Sequence, residues 1–146
     1  MNLKKHLHYA AEAKWDHKTG GTAKLDGFTQ RFDTPREHEG NETAPCPDQL
    51  FAASLAGCII NTFNYYRRIL EAETRNLTVN ASIDIELTDT DGYRVTGINI
   101  DIQVWSDQEN KDLNQRIAER AEKYCHITKS IEPAIPINTQ ITIHTE

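Results

Sequence analysis

Positive charge is scarce in this 146-residue chain: the formal net charge is −6 and the pI is near 5.5. Binding to a phosphate backbone needs clustered Lys and Arg that release counterions, so nucleic acid is not an expected partner. The pair Arg67-Arg68 is too small to reverse that. Long apolar runs are also missing, since nothing approaches the ~20 residues of a membrane span. No membrane association is therefore expected. The opening MNLKKHLHYA has no apolar signal core, which makes a cytoplasmic protein the expectation. Three cysteines without tight spacing do not form a secreted disulfide scaffold. In a reducing compartment a disulfide among them would be transient and catalytic. The six histidines show no helical i, i+4 pairing and no Cys-x-x-Cys partner, which argues against zinc. His6 and His8 share one face of a predicted strand and read as solvated decoration. No Gly-rich phosphate cradle follows any strand, and no repeat or low-complexity tract is present.

What is there alternates cleanly. Leu7, Tyr9, Ala11, Ala13 and Trp15 read as a half-buried strand, followed by a turn at Gly20-Gly21. Asp26-Gly27 then supplies a tight hairpin that needs positive φ, giving three antiparallel strands. From Asp33 to Cys46 the sequence is polar and aperiodic, and reads as a surface loop. Pro47 and Asp48 suit the first turn of a helix, one for its missing N–H and the other for its charge. Residues 50–60 are apolar or small almost all round, and the stripe Leu55, Ile59, Phe63, Tyr66 predicts a central, buried helix. Ala53 and Gly57 would permit close backbone approach. Leu77 to Leu87 alternates up to the turn TDTDG, and the return strand Tyr93 to Trp105 changes phase around Gly97, which predicts a bulge. Ser106 and Glu109 fit a capping box for a helix carrying Leu113, Ile117, Ala121 and Tyr124 on one face and ending near Cys125. Ile135 to Ile143 alternates again behind Pro133 and Pro136. The order βββ, α, ββ, α, β predicts a single α+β domain over residues 1–146.

Cys58 and Cys125 thus stand on two separate predicted helices. Dithiol chemistry between them requires the fold to bring their Cα atoms within about 7 Å. Taken alone, Cys58 reads more readily as a small buried hydrophobe than as a nucleophile. It lies three turns into its helix, beyond the reach of the helix dipole. A reactive Cys58 would therefore need a nearby cation, because burial by itself raises a thiol pKa. Cys46 would be exposed and incidental, or a third thiol for mixed disulfides.

The segments PDQLFAASLAGC (47–58) and KYCHITKSI (123–131) resemble the two cysteine motifs of the OsmC/Ohr family, the osmotically inducible protein C and organic hydroperoxide resistance proteins. That pattern is a Pro-acid-x-Leu helix start running to a cysteine, then a second helix ending in Cys-Pro. The likeness extends over the predicted element order of nearly the whole chain. It implies an intertwined homodimer with paired sites at the interface, Cys58 as the attacking thiol and Cys125 as the resolving one. It also implies an activating arginine with a carboxylate. The carboxylate position holds Asp48, one methylene shorter than the usual Glu. For the arginine, Arg36 in TPREHEG is preferred over Arg31 in TQRF. Thr22 follows the Thr-Gly-Gly sequence where Ohr members tend to carry their arginine nearby, which favours the OsmC-like branch over Ohr. His126 replaces the usual proline; its loss would loosen Cys125, and imidazole could assist thiol exchange, although a solvated helix-end histidine is the plainer reading.

The implied chemistry is reduction of an organic hydroperoxide. A Cys58 thiolate attacks the O–O bond, releases alcohol and becomes a sulfenate, and Cys125 condenses with it. The resulting disulfide is reopened by an external dithiol, for which the family often uses lipoyl groups. No cofactor is implied. The helix face around Phe51, Leu55 and Ile59 would favour an alkyl tail over hydrogen peroxide. The rival is a non-catalytic protein of the same fold that binds a small hydrophobic ligand at the dimer interface. The Asp48 and His126 departures favour that rival.

Overall fold

Turn chemistry sets the N-terminal strands. In the structure, a computed structural model describing residues 3–145, β1 (Glu12–Trp15), β2 (Gly20–Leu25) and β3 (Phe28–Asp33) form an antiparallel sheet in that order. Asp26 and Gly27 both take positive φ, 45° and 94°, as a two-residue primed turn requires. The first strand is shorter than its alternation suggests. Glu12 pairs with Lys24, and the chain turns away just after Leu25, so Leu7 and Tyr9 have no strand to meet and stay exposed. The β1–β2 turn also falls earlier than Gly20-Gly21. Asp16 Oδ1 accepts the backbone N–H of Lys18 and Gly20, with His17 at φ 64° between them. The two glycines lie inside β2 because backbones crowd there: a Cβ on Gly20 would sit 2.3 Å from the Phe32 carbonyl oxygen.

The loop after β3 is built around one buried carboxylate. Asp33 accepts from the Thr19 hydroxyl at 2.6 Å, the Thr34 N–H at 2.8 Å, and the Thr43 N–H and hydroxyl at 2.8 and 2.7 Å. The Thr19 hydroxyl foremost, then Thr43, hold its pKa far below the ordinary carboxylate value. A depressed folded pKa contributes stability that is complete above the unfolded value of about 3.9 and is lost as pH falls through the folded one. Amide exchange at Thr34 and Thr43, corrected for intrinsic rates, should therefore stay protected through mild acid and rise only in strong acid. In Asp33→Asn it should be fast already at neutral pH; unchanged protection in that variant would remove Asp33 from this role.

Residues Met1–Leu50 form one compact unit and Phe51–Glu146 a second. The helix α1 (Pro47–Ile69) starts at the predicted proline and contributes Leu55, Cys58, Ile59 and Phe63 to the core of the second unit. Its burial is one-sided within the chain rather than all round. Ala53, Ser54 and Asn61 are exposed, and a Cβ on Gly57 would meet nothing within 4 Å.

The core stripe packs on a sheet of β4 (Asn76–Thr88), β5 (Gly92–Ser106) and β6 (Ile137–Thr145), with β5 central. Ile98, Ile100, Ile102 and Val104 of β5 point inward, while Asn99 and Gln103 alternate outward. The predicted bulge is present: Asp84 pairs with Gly97 but Ile85 with Val95, leaving Thr96 as the extra residue. β6 runs parallel to β5, so the chain must cross over through helices between them.

That crossover holds α2 (Lys111–Tyr124) and a second short helix, α3 (His126–Ile131), which the sequence pattern did not separate. The capping box at Ser106 does not form. Ser106 is the last residue of β5, and Asp107 instead accepts both the backbone and side-chain N–H of Asn110 at 2.9 Å. Those bonds, the side-chain one foremost, lower the Asp107 pKa. Asn114 then locks α2 from inside. Its amide donates to the Glu73 carbonyl, the Ser106 hydroxyl and the Asn110 carbonyl, and its oxygen accepts from the Thr74 hydroxyl. Above it, the Arg120 guanidinium lies 5.5 Å from the Tyr66 ring, joining α2 to α1.

Candidate active site

The break between α2 and α3 is what shapes the site. Cys125 closes α2 by donating its N–H to the Ala121 carbonyl, then leaves helical geometry at ψ 109°. Its carbonyl accepts the Lys129 N–H at 3.0 Å and the Thr128 hydroxyl at 3.1 Å, so the same residue starts α3. Without the proline expected after it, Cys125 is nonetheless fixed on both sides and fully buried. The hydrogen bonds of two helix ends, rather than a proline ring, hold its backbone here.

Cys58 reaches this junction from α1. The two sulfurs stand 2.8 Å apart, although 67 positions separate them in sequence. Both thiols are free, and Cys58 is 8% exposed. Burial raises the Cys58 pKa first of all, and the adjacent Cys125 thiol raises it further. The backbone N–H of Ile127 and the Thr62 hydroxyl lower it, favouring the thiolate. None of these influences is a guanidinium. His126, the first residue of α3, is exposed and holds Nδ1 3.9 Å from Cys58 Sγ. Its place beside the Cys58 sulfur is the feature that sequence reading set aside, though the Cys-His step at positions 125–126 was the available signal.

Arg36, Arg31, Asp48 and Cys46 belong to the first unit. Arg36 opens a single 3-10 turn (Arg36–His38) and pairs with Glu42 at 3.2 Å, with its side chain 79% exposed. Arg31 donates to the Thr43 hydroxyl at 3.1 Å. Asp48 is exposed in the first turn of α1. Cys46 is half-buried rather than exposed, and its N–H donates to the Gln49 side chain just ahead of the helix. Leu55 and Ile59 are fully buried in the core, which leaves only half-buried Phe51 of the face expected to meet an alkyl tail. A groove of about 420 Å³ in the second unit is lined by Ile59, Ile100 and Thr128 together with the charged Glu119, Glu122, Lys123 and Glu132. Among the described residues, no group of His, Cys, Asp and Glu is arranged to hold a metal ion, and no helix is long and apolar enough to cross a membrane.

A thiol pair brought together by a buried α1 and a broken crossover helix, in a chain with a three-stranded antiparallel sheet and a second mixed sheet, defines a class. The family model for OsmC-like protein matches residues 39–140, and the chain belongs to that family. Solved structures agree in fold. An OsmC-like protein from Mycoplasma pneumoniae has a TM-score of 0.81 at 20% identity, covering 94% of this chain and 97% of its own. An organic hydroperoxide resistance protein OsmC from Legionella pneumophila has a TM-score of 0.76 at 18% identity, covering 95% and 99%. A putative osmotic stress induced and detoxification response protein from Psychrobacter arcticus has a TM-score of 0.75 at 24% identity, covering 97% and 100%. A comparison with curated protein sequences finds no match.

Proposed function

We propose that the protein is a thiol-dependent peroxidase that reduces organic hydroperoxides to alcohols. The observation that carries this reading is the 2.8 Å approach of two free sulfurs from distant parts of the chain. Membership of the OsmC-like family supports it, as does likeness to proteins described as organic hydroperoxide resistance proteins. The Cys58 sulfur attacks one peroxide oxygen, the O–O bond breaks, and the alkoxide leaves as alcohol after taking one proton. Cys58 is thereby oxidised to sulfenic acid. The Cys125 thiol then displaces water to form the Cys58–Cys125 disulfide, and an external dithiol such as a lipoyl group returns both cysteines to thiols by exchange. Cys58 has the small exposure that an incoming peroxide needs, whereas Cys125 has none. The attacking role therefore goes to Cys58. The test is consumption of cumene hydroperoxide or tert-butyl hydroperoxide with dihydrolipoamide as reductant; no turnover above a peroxide-and-reductant blank would retire the enzyme reading.

Thiolate formation at Cys58 has to overcome burial, and Arg36 with Asp48 is assigned that task. A neighbouring cation lowers a thiol pKa by about one to three units, worth about ten- to a thousandfold in thiolate near neutral pH. The Arg36–Glu42 ion pair is solvent-exposed and therefore weak enough to exchange. Arg36→Ala should slow sulfenate formation, trapped with dimedone, by at least about tenfold, and Arg31→Ala should have little effect. The reverse order would move the role to Arg31.

A homodimer completes the reading. Within one chain, α1 leaves Ala53, Ser54 and Gly57 uncovered, although such a small-residue face suits close packing. Light scattering should give twice the mass of the 16.6 kDa chain, and a monomer would contradict it.

The rival reading, a binding protein with silent cysteines, draws on the raised Cys58 pKa. It predicts that the thiols stay reduced under peroxide.

A further inference from the structure

We propose that His126 is the acid–base partner of Cys58, its Nδ1 at 3.9 Å taking the thiol proton and later returning it to the leaving alkoxide. The inference rests on the peroxidase reading and adds a residue to it. The position is suited to the task in three ways. His126 begins α3 directly after Cys125, so the bonds that fix Cys125 also fix the histidine backbone. The Ser130 hydroxyl accordingly donates to the His126 carbonyl at 2.5 Å. Its ring is exposed, so it can exchange its proton with water between turnovers, which buried Cys58 cannot do readily.

With its proton on Nε2, the neutral ring presents the Nδ1 lone pair to the thiol. Proton transfer then gives a thiolate beside an imidazolium. Attack on the peroxide forms the S–O bond and breaks the O–O bond, and the imidazolium N–H protonates the alkoxide. Charge and protons balance within the pair, with the peroxide as oxidant. A separation of 3.9 Å is long for a hydrogen bond but normal for a catalytic contact before substrate arrives.

Charged groups of both signs stand on the elements around this junction, Glu119 and Glu122 on α2 and Glu132 just after α3 among them. Cys58 stands on α1, Tyr124 and Lys123 at the end of α2, and Lys129 one turn into α3. Both ammonium groups lie near the Tyr124 ring, at 5.4 and 6.0 Å. An imidazole, unlike an ammonium group, takes up and gives up a proton near neutral pH.

The experiment needs no peroxide. In a Cys46→Ser, Cys125→Ser background, the iodoacetamide alkylation rate of Cys58 is followed from about pH 5 to about pH 9, a span that brackets the ordinary imidazole and thiol values. With His126 present, the profile should show a second inflection besides that of the thiol. His126→Gln and His126→Pro should both abolish that inflection and lower the rate near neutral pH by about tenfold or more, one pKa unit being one decade of thiolate. Free imidazole added to His126→Ala should restore part of the rate, which a structural role would not allow. The proline variant carries the residue usual in the family, so it decides the matter if either of the others fails to fold. A profile and rate unchanged in the variants would overturn the proposal even if peroxide turnover is found. A shifted profile without peroxide turnover would leave the His126–Cys58 pair standing and remove the peroxidase.

Discussion

Cys58→Ser is expected to abolish hydroperoxide consumption entirely, whereas Cys125→Ser is expected to consume about one peroxide per chain and then stall. The difference follows from the division of labour between the sulfurs. A serine hydroxyl is far too weakly acidic to supply a nucleophile at this buried position, and the Cys125 thiol that remains at the junction has no exposure to an incoming peroxide. Without Cys125, the first attack still proceeds, but the sulfenate has no thiol 2.8 Å away to condense with. It should persist long enough to be trapped by dimedone. Cys46→Ser should leave turnover unchanged, since the proposed cycle gives Cys46 no step. Equal activity of Cys58→Ser and the parent protein would show that some other group reacts with peroxide.

Phe63→Ala should destabilise the protein by about 3–5 kcal/mol, the usual cost of emptying a fully buried aromatic site. Phe63 lies on the same stripe of α1 as Leu55 and Ile59, packed in the core that also contains Ile102, Val104 and Ile117. Its loss removes apolar contact and leaves a cavity that a helix of 23 residues, tied along its length, cannot collapse to fill. The effect reaches the chemistry because the same helix carries Cys58. A loosened α1 widens the spread of sulfur–sulfur distances, so disulfide formation should slow along with the fall in stability. Denaturant titration measures the first effect and the rate of disulfide formation the second. A loss under about 1.5 kcal/mol, the level of a volume-conserving swap, would mean that the core repacks freely around this position.

How much of this was legible in the sequence depends on whether a local rule or a tertiary contact made the decision. Asp26-Gly27 and Pro47-Asp48 were readable because each residue has a backbone requirement of its own. The bulge near Gly97 was readable because a strand that changes phase must absorb an extra residue. The length of β1 was not, because alternation continues through Leu7 and Tyr9 while the partner strand turns away after Leu25. Nor was α3. Ile127 and Ile131 continue the apolar spacing of α2, and the break rests on one non-helical residue, Cys125, with no glycine or proline to mark it. Missing that break also hid the site's geometry. It is the exit of the chain at Cys125 that directs the Ile127 N–H and the His126 ring toward Cys58. The alkyl-binding role given to Leu55 and Ile59 failed for a related reason. An apolar helical stripe reads the same whether it faces a ligand or the core, and here it faces the core.

The central claim is that two thiols from different helices form one redox couple. Reduced protein treated with a single equivalent of cumene hydroperoxide, quenched with an alkylating agent and digested, tests it most directly by mass spectrometry. The account predicts a cross-linked species joining the peptides of Cys58 and Cys125, with Cys46 recovered alkylated. Recovery of Cys58 and Cys125 as separate alkylated peptides, or a cross-link through Cys46 instead, would contradict it.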